Sequence, residues 1–241
     1  HVTVGDMNSI KKCVLDNIEE LRGKYICVSN VHTTVTAYEN RNYRRVQNGA
    51  AMVFPDGGPL SIVCRLRGYK NASRVTGPDF MGEIFKEKGV RQFFYGSTPE
   101  TLDKLKSILE KEHPDIQICG MYSPPFRTLS HEEDEEIVDM INAAKPDIVW
   151  IGLGAPKQEN WMAKHEGRIN AVMVGVGAGF DYFAGNIKRA PMIMQKLSLE
   201  WLYRLVQEPK RLYKRYFSTN TVFLIANYRL WKQYRKIKKR R

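Results

Sequence analysis

Short apolar runs alternate with amphipathic stretches through the first 195 residues, and this alternation leaves few architectures open. Runs at 25–29, 51–54, 92–95, 116–119, 148–151 and 171–174 have the length and composition of strands buried on both faces. Helical spacing occupies the intervals, among them 9–21, 101–111, 130–144 and 157–165. Ser130 followed by Glu133 forms a capping box that marks one helix start. Strand and helix in this order predict βαβ units: an α/β fold with a mostly parallel, Rossmann-like sheet covered by helices on both faces. After about residue 191 the strand pattern stops. Pro191 and Pro209 are suited to first helical turns and predict helices at about 191–206, 209–217 and 220–238. The expected organisation is an α/β core over 1–195 and a helical appendage over 196–241.

Charge separates the same two parts. From residue 196 to 241 there are 14 Lys and Arg against two acids, Glu200 and Glu208, a balance equal to the +12 of the whole chain. The body is therefore neutral, and one basic arm carries the net charge. On a helix, Phe223, Ala226, Leu230, Tyr234 and Ile237 fall within about 80° of one another. Lys232, Arg235, Lys236 and Lys239 lie opposite, and Tyr228 and Trp231 flank the stripe. An apolar stripe with interfacial aromatics and a basic face suits a lipid headgroup layer. A core-packing helix and a nucleic-acid contact are the alternatives. Charge opposite an apolar stripe, over a body with no excess of base, speaks against nucleic acid. No apolar run spans a bilayer, so membrane contact through 219–241 is expected to be peripheral. Cys13, Cys27, Cys64 and Cys119 form no CxxC and lack metal-ligand spacing, as expected for a cytoplasmic protein.

In sheets of this class, ligands bind where strands end and loops lead into helices. The first such loop, Pro55-Asp56-Gly57-Gly58-Pro59, is either an ordinary turn or a fixed carboxylate able to take a proton from a hydroxyl. In the second, Arg74-Val75-Thr76-Gly77-Pro78-Asp79, a helix start is compatible with diphosphate or sugar contacts by Arg74 and Thr76. The loop at 151–159 carries Gly152, Gly154, Lys157 and Gln158. It lacks the third glycine of a dinucleotide site, which disfavours an NAD-dependent oxidoreductase. Gly175, Gly177 and Gly179 end the next strand alike. Together, the two glycine-rich ends predict a phosphate-binding crevice. Arg204, Arg211 and Arg215 have helical spacing and are either a solvated face or a clamp on a leaving diphosphate. The histidines show no metal-ligand spacing and are taken as structural.

Eight segments place these loops in a wider pattern: VSNVHTTV (28–35), VFPDGGPL (53–60), RVTGPDFM (74–81), FFYGS (93–97), IGLGAPKQENWM (151–162), VGVGAGFDYFAG (174–185), RAP (189–191) and EWLYRLVQEPKRLYKRY (200–216). In this order, over nearly the whole chain, they resemble the WecG/TagA/CpsF family of bacterial glycosyltransferases. The resemblance implies an inverting, metal-independent enzyme that needs no cofactor. Its substrates would be a UDP-sugar, with N-acetylmannosamine or a related hexose transferred, and a polyprenyl-diphosphate-linked GlcNAc of cell-surface polymer synthesis. It implies work on the inner face of the cell membrane and leaves self-association open. It puts a general base on Asp56, substrate contacts on Asn30, Arg74 and Gln158, and diphosphate-binding arginines on Arg204, Arg211 and Arg215. One departure is Val28, where the family carries a hydroxyl residue.

Overall fold

A computed structural model describes residues 1–196 and 198–238, without the side chains of residues 196, 211 and 234–238. The chain opens with α1 (Met7–Asp16) and α2 (Ile18–Leu21), then β1 (Tyr25–Ser29), α3 (Val31–Glu39) and α4 (Arg41–Gly49). Next come β2 (Met52–Pro55), α5 (Gly58–Leu66), α6 (Gly77–Ile84), β3 (Arg91–Gly96), α7 (Pro99–Glu112) and β4 (Gln117–Tyr122). The second half holds α8 (His131–Ala143), β5 (Ile148–Gly152), α9 (Lys157–Lys164), β6 (Val172–Gly175) and α10 (Gly179–Phe183). Only helices follow among the described residues: α11 (Met192–Lys196), α12 (Glu200–Gln207) and α13 (Pro209–Lys238).

All six strands are parallel, in the order β2-β1-β6-β5-β3-β4. Parallel strands need a crossover between them, and the helices that supply it bury both sheet faces. One face packs Ile26, Phe54, Phe94, Trp150 and Val174 against Phe80, Met81, Phe85 and Phe180. The other packs Cys27, Val53, Phe93, Val149 and Met173 against Ile137, Ile141 and Met162. The buried indole of Trp150 donates to Gln92 Oε1 at 2.9 Å, so its N–H is satisfied inside the sheet. The capping box at Ser130 and Glu133 forms as expected.

Three helical expectations change. The 9–21 helix starts at Met7 and breaks at Asn17, whose side chain turns back to donate to Cys13 O. The 191–206 helix divides into α11 and α12 at Ser198, whose φ of 62° lies in the left-handed region. Helices 209–217 and 220–238 are one helix, α13. The break expected at 218–219 does not form. Instead, Ser218 and Thr219 donate their hydroxyls to the Lys214 and Arg215 carbonyls one turn back, and the helix continues.

The stripe on α13 also needs correction. Phe223 points inward and packs against Val35 of α3 and Leu60 of α5. Five of the apolar residues turned to solvent follow a different line, Tyr213, Phe217, Leu224, Tyr228 and Trp231, while Ile225 and Leu230, the latter from the expected stripe, are exposed to either side of it. The five lie within about 60° of one another on a helical projection. Tyr234, Arg235, Lys236, Ile237 and residues 239–241 of the expected interfacial pattern lie outside the described side chains.

Candidate functional site

The carboxyl ends of β1, β2, β5 and β6 gather most of the sequence candidates at one edge of the sheet. Asp56 directly follows β2, and its amide donates to Ser29 O at the end of β1, 2.7 Å away. Gly57 takes a φ of 101°, open to glycine at little cost, and turns the chain into α5. The Asp56 carboxyl, half-buried, sits among Arg74, Glu200, Asn30 and Arg204. Burial pushes its pKa up to about 6. Arg74 opposes the rise, Glu200 adds to it, and the Asn30 hydrogen bond and Arg204 oppose it. The result is a carboxylate at neutral pH with more basicity than a solvated aspartate.

Asn30 has two tasks. It is the N-cap of α3, accepting from Thr33 N, and its side chain also bonds Asp56. Thr76, almost fully buried, caps α6 and donates to Asp79 Oδ2 at 2.7 Å, so its hydroxyl is already engaged. Arg74 is 3.4 Å from Asp79 and also donates to Glu200. Arg189 bonds Asp79 and approaches Glu200 to 3.8 Å. Two arginines and two acids thus link α6, the 185–191 loop and the first residue of α12.

At the glycine-rich ends, Gly154 and Gly177 adopt left-handed φ values of 76° and 58°, and neither has an atom near the place a Cβ would occupy. Their backbones border open space. Gln158 is buried: its Oε1 accepts from Gly177 N at 3.0 Å and its Nε2 donates to Glu159 Oε1 at 2.9 Å. This side chain bridges the two loops. Lys157 is exposed at the first position of α9.

The appendage supplies the other wall. The Arg204 guanidinium lies over the ring of Tyr182, 5.5 Å from its centroid, and both side chains feel the charge of Asp56 or impose on it. Burial pushes the Tyr182 phenol up to about 12, which keeps it protonated and able to donate. Arg215 lies beside His32 at the start of α3, where burial, then the Arg215 charge, lowers the imidazole pKa. The backbone of Arg211 is in α13, and its side chain is outside the described set.

The structure therefore brings Asp56, Asn30, Arg74 and Arg204 to one place and holds Thr76 and Gln158 in supporting bonds beside it. Sequence reasoning missed Tyr182, Asp79, Arg189 and Glu200. For Glu200 a signal existed, because it is one of two acids in the basic arm. Tyr182 had none beyond its place in a quoted segment.

The model of the glycosyl transferase WecG/TagA/CpsF family matches residues 1–240. The chain belongs to this family. Among curated relatives, it is 33% identical over 198 residues to an N-acetylglucosaminyldiphosphoundecaprenol N-acetyl-beta-D-mannosaminyltransferase of Bacillus spizizenii, covering 80% of this chain and 75% of that protein. Proteins of the same name from Bacillus subtilis and Staphylococcus aureus are 34% and 33% identical. The former alignment covers 80% of this chain and 75% of the relative, the latter 89% and 82%. These family members are named for a sugar transfer onto a lipid-linked diphosphate acceptor. Among the described residues, no helix of this chain is long and apolar enough to cross a membrane.

Proposed function

We propose that this protein transfers N-acetylmannosamine or a related sugar from a UDP donor to a polyprenyl-diphosphate-linked GlcNAc, with inversion and without a metal. The observation that carries this reading is Asp56: a carboxylate on a rigid strand end, made more basic by burial and ringed by Asn30, Arg74, Arg204 and Tyr182. The names of the relatives supply the acceptor class and the sugar.

In the proposed reaction, the acceptor hydroxyl oxygen bonds to the anomeric carbon as the bond from that carbon to the UDP oxygen breaks. The hydroxyl proton passes to Asp56, and the electron pair leaves with UDP. Asn30 holds the Asp56 carboxylate by a hydrogen bond, so the base is oriented before the substrate arrives. Negative charge growing on the diphosphate is met by cations fixed in place, Arg74 and Arg204 first, with Lys157, Arg211 and Arg215 as further contacts. Gly154 and Gly177 let the diphosphate approach the backbone, with Gln158 holding their two loops in register. UDP is placed in the crevice between these loops. Thr76 serves by fixing Asp79 and, through it, Arg74.

A lipid-linked acceptor calls for a protein that rests on the bilayer, and α13 offers the surface. Its outward line of Tyr213, Phe217, Leu224, Tyr228 and Trp231 is bordered by Lys210, Lys214 and Lys232, with Lys232 over the Tyr228 ring at 5.3 Å. Aromatic and aliphatic groups beside lysines suit an anionic headgroup layer. The reading is tested by incubating the protein with a series of UDP-sugars and a short-chain lipid-diphosphate GlcNAc analogue, and weighing the lipid product. A mass gain of one N-acetylhexosamine supports it. No product with any donor, under conditions where donor and acceptor are intact, overturns it.

A further inference from the structure

Arg204 reaches the site from an element outside the α/β layers, so something must fix α12 against the core. Two contacts do so within three residues of each other. Ser198, in its left-handed turn, fills the space beside Gly58: a Cβ on Gly58 would lie 1.8 Å from Ser198 Oγ and 2.1 Å from its Cβ. Gly58 is the second residue after Asp56, so the turn rests on the loop that carries the candidate base. Glu200, the first residue of α12, engages Arg74 and Arg189, which Asp79 holds from the other side. Its side chain is 20% exposed, as is that of Arg74. On a helix, residues i and i+4 share a face. Clipping Glu200 to the core therefore turns Arg204 toward the same surface, where it lies over Tyr182 and beside Asp56.

We propose that Ser198 and Glu200 are positioning residues: a notch at Gly58 and an ion-pair clip on Arg74 and Arg189 together seat α12 so that Arg204 faces the site. The notch sets where the turn lies, and the clip sets how the helix is rotated. Because the clip shares Arg74 with the site, its loss disturbs both the appendage and the cation that acts most strongly on Asp56. Only the activity readout of this inference rests on the proposed transfer reaction.

The test uses the full chain and six variants: Glu200→Gln, Glu200→Asp, Gly58→Ala, Gly58→Ala with Ser198→Gly, Arg204→Ala, and Glu200→Gln with Arg204→Ala. Backbone hydrogen exchange over 198–207, which needs no substrate, should speed up by about tenfold in Glu200→Gln and in Gly58→Ala, with the strands unchanged. Ser198→Gly removes the atoms that the methyl introduced by Gly58→Ala would strike, and it favours the same left-handed turn. The double variant should therefore return to wild-type exchange. In the transfer assay, kcat should fall roughly ten- to a hundredfold in Gly58→Ala and recover in the double variant. Glu200→Asp should restore part of what Glu200→Gln loses. Adding Arg204→Ala to Glu200→Gln should cost little more, since the first change already misdirects Arg204. Removing the Glu200 charge should also move the acid limb of kcat/KM to lower pH, which a purely packing role would not do. Wild-type exchange in Gly58→Ala, failure of Ser198→Gly to rescue it, or multiplicative losses from Glu200→Gln and Arg204→Ala would each overturn the seat. If the wild type transfers no sugar, the exchange data still decide the seat, and it is the proposed reaction that fails.

Discussion

Replacing Asp56 by Asn should stabilise the protein while nearly abolishing its activity, and the two effects share one cause. The carboxyl has an ordinary pKa of 3.8 and is pushed up to about 6 in the fold, chiefly by burial. Its ionised form is therefore disfavoured in the native state. Stability from this group is fully present below pH 4 and is lost as pH rises through 6. Above pH 7 the loss amounts to about 3 kcal/mol before discounting for partial exposure, and about 2 kcal/mol after it. Asn keeps the shape without the charge and escapes that loss. For a domain of this size the gain corresponds to a rise in Tm of roughly 4–8 °C at pH 7.5. The difference from wild type should shrink to about a third of its full size at pH 4.5 and toward zero only below pH 4, where the carboxyl is protonated in the folded and the unfolded chain alike. Turnover should fall by about 10² or more, the scale of a lost general base. Differential scanning calorimetry of both proteins from pH 4.5 to 8, with transfer rates at each pH, reads both effects. Equal Tm values at pH 7.5, or a difference that does not vary with pH, would refute the argument that burial makes Asp56 a stronger base.

Further outcomes follow from the same geometry. The wild-type kcat/KM should lose activity below about pH 6 as Asp56 takes up its proton, and a flat profile down to pH 5 would assign the base elsewhere. Because fixed arginines face the candidate diphosphate position, transfer should continue in EDTA. Loss in chelator with recovery on adding magnesium or manganese would reject that mechanism. On α13, Phe223→Ala should lower stability by about 3–5 kcal/mol because it uncovers Val35 and Leu60. By contrast, Leu224→Ala with Trp231→Ala should leave Tm unchanged and weaken binding to anionic vesicles in a sedimentation assay. Vesicle binding that ignores the outward pair would remove α13 from the membrane. UDP should protect 152–158 and 175–179 from hydrogen exchange, and protection confined to other loops would move the donor site.

The sheet was legible because parallel strands buried on both faces must be continuous apolar runs, and Ile148–Gly152 or Val172–Gly175 can be little else. Helices α3 to α5 were not, and of α6 only its start at Gly77-Pro78-Asp79 was, because their signals are short and local. In α4, the sequence RNYRRVQNG buries only Tyr43 and Gln47 and is announced mainly by the Asn40 cap. Asp56 stood out through its loop chemistry at a strand end. Whether it was a turn residue or part of a charged cluster depended on Arg74, Arg204 and Glu200, which come from distant sequence and meet it only in the fold. The α13 stripe was misread at Phe223 for a related reason. Helical periodicity shows that apolar faces exist, and only the packing of Phe223 under α3 and α5 shows which one is already covered.

If the Asp56 cluster transfers a sugar to a lipid-linked diphosphate acceptor, the lipid product carries the proof in its mass. The most direct measurement is therefore the mass of the product formed from UDP-N-acetylmannosamine and a short-chain lipid-diphosphate GlcNAc analogue, in EDTA. Wild type and Asp56→Asn are compared at equal folded concentration. The expected product is one N-acetylhexosamine heavier, formed by the wild type at least about a hundredfold faster than by the variant. Equal rates from the two proteins would contradict that role for Asp56.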